Sequence, residues 1–198
     1  MSGGTKSMTT QRLSRYLTVP LLVLTALLVQ PIAAEEGAFK GAVTGPVVPD
    51  FGPVMLPPPG AYNLDPQTHY KVSIDIGETA EFPGDLNRKL VSVARFLNMN
   101  AQYGVPADNI EFSVVVHGMA ANDLLTDEAY ARRFNDPNPN SALLDQLNAA
   151  GVKVYLCSQT AAFRQMAPTD FRPDVIMALS AMSAHVRLQH EGFTLIPF

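Results

Sequence analysis

Val152-Lys-Val-Tyr-Leu-Cys157-Ser-Gln-Thr160 is the stretch whose reading decides the fold. Residues 152–157 are rich in β-branched and aromatic types and read as a strand. Asn148-Ala-Ala-Gly151 before them reads as a helix C-terminus with its glycine. Ser158-Gln-Thr160 after them has the chemistry of a helix N-cap. A strand running from one helix into another belongs to a parallel α/β sheet, whose ligands gather at the carboxyl edge of the strands. Cys157, the only cysteine of the chain, stands at that edge, facing a helix N-terminus. Free N–H groups and the helix dipole there favour thiolate over thiol. The competing reading is a small buried hydrophobe, the commonest state of a free cysteine.

Working outward, the same alternation extends over residues 70–198. Tyr70–Gly77, Ile110–Gly118, Asp174–Ala178 and Phe193–Phe198 read as further strands. The run of valines at 114–116 marks a strand buried on both faces. Pro197 has no N–H to donate, so the last strand belongs at an edge. Helical patterns cover 84–103, 122–134, 141–150, 161–166 and 179–190, several of them closed by glycine. The expectation is α/β: a three-layer α/β/α domain with a five-stranded, mostly parallel sheet.

The N-terminus reads as a targeting segment. Lys6, Arg12 and Arg15 precede 19 uncharged residues, Tyr16 to Ala34, and Glu35-Glu36 follow. Small residues before an acidic start place a signal peptidase site after Ala34. The alternative is a retained anchor, since the uncharged stretch is long enough to span a bilayer. Residues 35–69 carry prolines at 46, 49, 53, 57, 58, 59 and 66, a density that rules out regular helix. Interspersed Val47, Val48, Phe51 and Val54 are too apolar for a purely solvated linker. The segment reads as an extended arm or linker.

Three of the 14 basic residues and none of the 18 acidic ones precede Glu35, which leaves 11 against 18, a net charge of −7, after cleavage. Such a chain suits neither nucleic acid nor an anionic membrane surface. One cysteine forms no internal disulfide, so stability rests on the core, and a domain of this size buries roughly 70% of its unfolded surface.

The ordered set Val114-Val-Val-His-Gly118, Asn138-Pro-Asn-Ser-Ala-Leu-Leu144, Gly151-Val-Lys-Val-Tyr-Leu-Cys-Ser-Gln159 and Ala178-Leu-Ser-Ala-Met182 resembles the DsrE/DsrF-like family, in particular its exported members. The resemblance covers residues 70–198. It implies a five-stranded parallel domain whose first three strands are neighbours, and assembly into trimers or hexamers. It also implies a sulfur relay in which a cysteine after a strand carries a persulfide, passed between donor and acceptor proteins. Cys157 matches that cysteine in position.

His117 ends the second strand as Cys157 ends the third, and an imidazolium beside a thiol favours the thiolate. A histidine that only caps its own turn is the alternative. Asn122, Ser158 and Gln159 are candidate ligand contacts at the same edge. Asp75 and Glu78 are acids near a turn, where such groups usually face water. No phosphate loop, nucleophile elbow, dinucleotide fingerprint or zinc spacing is present, and no cofactor is implied. His185 and His190 are five apart, the wrong spacing for a helical metal pair. Met166, Met177 and Met182 suit core packing better than copper.

Three functions fit: a periplasmic sulfur carrier or sulfurtransferase using Cys157 and His117, a non-catalytic oligomeric small-ligand binding module, and, weakest, a soft-metal binder. The leader pattern predicts a mature N-terminus at or near Glu35 in a periplasmic product free of the membrane. N-terminal sequencing checks this, and a retained apolar stretch in the membrane fraction overturns it.

Overall fold

A computed structural model describes Met1, Gly3 and residues 41–55 and 60–197. The leader and its Ala34–Glu35 junction lie outside the described residues. Among the described residues no helix is long and apolar enough to cross a membrane. The sheet and its helices belong to the compact unit Gly37–Phe198.

Five strands form one sheet: β1 (Tyr70–Ile76), β2 (Ile110–Val116), β3 (Lys153–Cys157), β4 (Val175–Ala178) and β5 (Thr194–Ile196). Their order is β4-β3-β2-β1-β5, and every pairing is parallel. The first three strands are neighbours, and β5, which runs into Pro197, is an edge strand. β2 is central, and all but Glu111 of its seven residues are buried, as its valine run requires.

The two faces are covered unequally. Ile74, Ile76, Phe112, Val114, Val116, Val154 and Leu156 point into the main core. There they meet α1 (Arg88–Gln102), α2 (Asp127–Phe134), α3 (Ser141–Ala149) and Ala161 of α4 (Ser158–Phe163). On the opposite face Val115 packs with Ala184 and Leu188 of α5 (Ala181–His190) and with Phe193, while Tyr155 and Ala178 flank them. Among the described residues one helix therefore covers this face, whereas the others share the far side, which completes the α/β/α arrangement.

Helix starts differ from the periodicity where a side chain intercepts the first free N–H groups. The Asn87 carboxamide oxygen accepts from Lys89 and Leu90, so α1 begins at Arg88 and not at Gly84. Thr126 caps α2 and accepts from Ala129. The helical pattern expected over 122–134 is therefore split: Gly118–Leu124 is a 3-10 turn, and Leu125 pairs with Phe171 in an isolated bridge. Each such cap contributes about 1 kcal/mol.

The loops at the carboxyl edge share one buried carboxylate. Asp123, 2% exposed, accepts from Thr79 Oγ1 at 2.5 Å, Asn87 Nδ2 at 2.7 Å and Asn140 Nδ2 at 3.3 Å. Burial pushes its pKa up, and the hydrogen bonds from Thr79 and Asn87 offset only part of that rise. Asn138 Nδ2 donates to the Asp123 and Leu125 carbonyls at 2.8 and 2.7 Å.

Residues 41–55 of the proline-rich arm lie on α1. Buried Asn98 holds them: its Oδ1 accepts from Val47 and Val48 N–H at 3.1 and 2.8 Å, and its Nδ2 donates to the Val48 and Phe51 carbonyls at 2.9 Å. Val48 is fully buried in the main core. Gly52 (φ +67°) packs so close that a Cβ would stand 2.2 Å from the Arg95 nitrogen, so only glycine fits. Replacing Asn98 by alanine strands buried backbone groups, each costing about 1–3 kcal/mol when unpaired. Asn98→Ala is expected to lower the urea midpoint at nearly unchanged slope and to expose residues 41–55 to protease.

Candidate functional site

Strand register assembles the site. Val116 stands beside Ile76 on one side and Leu156 on the other. His117 and Cys157 follow that rank directly, and Asp75 precedes Ile76. Alternation turns Ile76, Val116 and Leu156 into the main core and leaves Asp75, His117 and Cys157 on the α5 side. These three residues, with His185 of α5, line a cleft of about 440 Å³ that also contains Gln159, Thr160, Ala181 and Met182.

Cys157 is both the last residue of β3 and the N-cap of α4. The helix starts at Ser158, so the cap that sequence chemistry assigns to Ser158-Gln-Thr160 is the cysteine itself. The residue is 6% exposed. Burial pushes the thiol pKa up, but the polar surroundings of the sulfur, the Thr160 hydroxyl and the backbone N–H groups of Thr160, Ala181 and Gln159, outweigh it. The net shift is downward. Thr160 Oγ1 accepts from Gly118 N–H at 3.2 Å, which leaves its own proton for the sulfur. The Ala181 N–H belongs to the first turn of α5, so the beginnings of two helices converge on one sulfur atom.

Asp75 does not face water alone, as a carboxylate near a turn usually would. Its Oδ1 lies 2.8 Å from His185 Nε2 and its Oδ2 lies 3.1 Å from His117 Nε2. Burial pushes the carboxyl up, the hydrogen bonds from His185 and then His117 overcome this, and the group is held below the ordinary carboxylate range. An ionised carboxylate only accepts, so both Nε2 atoms carry the proton. His185 Nδ1 is buried with no partner among the described residues.

Of the expected contacts, Cys157, His117 and Gln159 come together in the cleft. Gln159 contributes its backbone N–H, and its side chain donates to the Leu179 carbonyl at 3.4 Å. Asn122 is buried in the 3-10 turn and Ser158 is half-buried at the start of α4, and neither lines the cleft. Asp75 and His185 are the additions. The signal for Asp75 is its period-two alternation with Ile74 and Ile76, which turns it to the face of His117. His185 follows the buried Ala184 of α5. Among the described residues, no group of three or more His, Cys, Asp or Glu is arranged to hold a metal ion.

If the donors depress the Cys157 pKa, removing one must raise it. The rate of iodoacetamide modification against pH is expected to give a midpoint below that of a free thiol, about 8.5. Thr160→Val should move the midpoint upward. A thiol silent until the protein unfolds would mean that Cys157 is a core residue.

No curated protein matches the chain. Among solved structures, a protein of unknown function from Methanobacterium thermoautotrophicum superposes with a TM-score of 0.46 at 24% identity, over 64% of this chain and 97% of that one. The model of the DsrE/DsrF-like family matches residues 76–198, a span that takes in β2 to β5, His117, Cys157 and His185. The chain belongs to the DsrE/DsrF-like family.

Proposed function

We propose that this protein is an exported sulfur carrier that takes up one sulfane sulfur on Cys157 as a persulfide. The observation that carries this reading is the place of Cys157 at a helix N-terminus on the wall of an open cleft that it shares with His117, in polar surroundings that lower its pKa. A buried core cysteine has no need of such a place, whereas a nucleophilic thiolate does.

The transfer is a displacement at sulfur. The Cys157 thiolate attacks the outer sulfur of a thiol-bound persulfide, R–S–SH. A bond from Sγ to that sulfur forms, the S–S bond of the donor breaks, and its electron pair leaves on R–S⁻. No net oxidation occurs. His117 in the same cleft takes the thiol proton beforehand and returns it to the departing thiolate. Discharge to an acceptor thiol runs the same chemistry in reverse.

The leader pattern supports a periplasmic location. Leu179, Met182 and Val186, between 70% and 78% exposed, support a homo-oligomer, a trimer or hexamer, with this apolar strip in its contacts. Neither nucleic acid nor, once the leader is removed, a membrane enters this reading.

Intact mass spectrometry after incubation with glutathione persulfide tests it. The wild type is expected to gain the mass of one sulfur atom, reversibly with dithiothreitol, and Cys157→Ser none, with fold and assembly unchanged. A wild type that gains nothing although Cys157 alkylates readily would overturn the carrier reading in favour of a non-catalytic binding module.

A further inference from the structure

The proposed transfer requires His117 to move a proton, and the structure surrounds that ring with groups whose geometry has no other evident use. Asp75 grips Nε2 of His117 at 3.1 Å. The other oxygen of the same carboxylate is gripped by His185 at 2.8 Å. Both carboxylate oxygens are thereby fixed, and the carboxyl plane cannot turn without breaking one of the two bonds. The His117 ring also lies against Gly77. A Cβ at position 77 would stand 2.7 Å from its Cε1 and 3.0 Å from its Nε2. Gly77 has no positive φ, so the glycine serves space here and not backbone conformation.

We infer that Asp75, His185 and Gly77 are positioning residues for His117, which together lock it in the Nε2–H tautomer with Nδ1 as the atom that accepts and returns the proton of the sulfur transfer. This rests on the carrier reading of Cys157 but concerns different residues. The chain of contacts runs from α5 to β1 to the end of β2, whereas the groups that lower the thiol pKa come from α4 and the first turn of α5. A neutral imidazole has one N–H and one lone pair, and the partner of one nitrogen decides which is which. An ionised Asp75 accepts at Nε2 and therefore leaves the lone pair on Nδ1. Without that hold, the ring is free to populate the other tautomer and other rotamers, and the base is in the wrong form for part of the time.

Among the described residues, the titratable groups that share the cleft with His117 are Asp75 from β1, Cys157 from β3 and His185 from α5. Lys89 of α1 reaches only the Asp75 carbonyl, at 3.3 Å, and Arg164 after α4 is engaged with Met119 Sδ at 2.9 Å. Neither cation competes for the Asp75 carboxylate.

The test combines a spectroscopic readout with a mutant cycle on the full mature chain. Two-bond ¹⁵N–¹H spectra of the histidine rings should show His117 as the Nε2–H tautomer in the wild type and as a mixture in Asp75→Asn. The carboxamide of that variant offers one acceptor and one donor where two acceptors stood. Sulfur uptake from glutathione persulfide at neutral pH should fall about tenfold or more in Asp75→Asn, His185→Ala and Gly77→Ala, and further in His117→Ala. In alkaline solution, where the thiolate forms unaided, the differences should shrink. Placed on a His117→Ala background, the three substitutions should cost almost nothing more, since they act through that ring. Gly77→Ala should also recover stability there, because its methyl no longer meets an imidazole. An unchanged tautomer in Asp75→Asn, or full additivity with His117→Ala, overturns the inference. A wild type that takes up no sulfur overturns the carrier reading instead, and the spectra still decide whether Asp75 fixes the ring.

Discussion

Ile76, Val116 and Leu156 stand abreast in three adjoining parallel strands, and the hydrogen bonds between those strands govern the side chains around them. With the register held there, alternation turns Asp75, His117 and Cys157 to the same face of the sheet. A slip of one residue in β2 would send His117 into the main core and bring Val116 out to the cleft. The register is held because the opposite face is apolar throughout, with Phe112, Val114 and Val116 each 1% exposed or less. Burial on one face thus secures the chemistry on the other.

The carboxyl edge is kept in shape by polar contacts that the core does not supply. Asp123 joins Thr79, the α1 cap Asn87 and the α3 cap Asn140, and so ties the loops after β1 and β2 to the starts of two helices. Such a network is favourable only when every member is satisfied, and three donors on one buried carboxylate meet that condition. Asp75, its counterpart on the other face, has both oxygens engaged as well, but by groups able to gain and lose protons.

Much of this was legible in the residues. A mostly parallel sheet, the edge position of β5 and the placing of His117 and Cys157 at one edge follow from alternation, a buried valine run, Pro197 and the ends of two strands. Two features escaped. The split of the helix expected over 122–134 depends on Thr126 capping and on the Leu125–Phe171 bridge, and Phe171 is distant in sequence. The Asp75–His185 contact spans 110 residues and depends on how α5 crosses the sheet, which local pattern does not encode. Helix boundaries moved for a related reason: periodicity marks the buried stripe, but side-chain capping decides where the first turn begins.

Among the described residues α5 is the one helix on its side of the sheet, and this has a thermodynamic consequence. Its first amide, at Ala181, helps to lower the thiol pKa, its fifth residue holds Asp75, and its buried Ala184 and Leu188 shelter Val115. A fluctuation that lifts this helix therefore weakens the anion, frees the carboxylate and uncovers the sheet in one event. Linkage works equally in the other direction: the free energy by which the seated helix favours ionised sulfur is also the free energy by which ionised sulfur favours the seated helix. Amide exchange along α5 and the charge on one atom of β3 are thus two readouts of a single equilibrium.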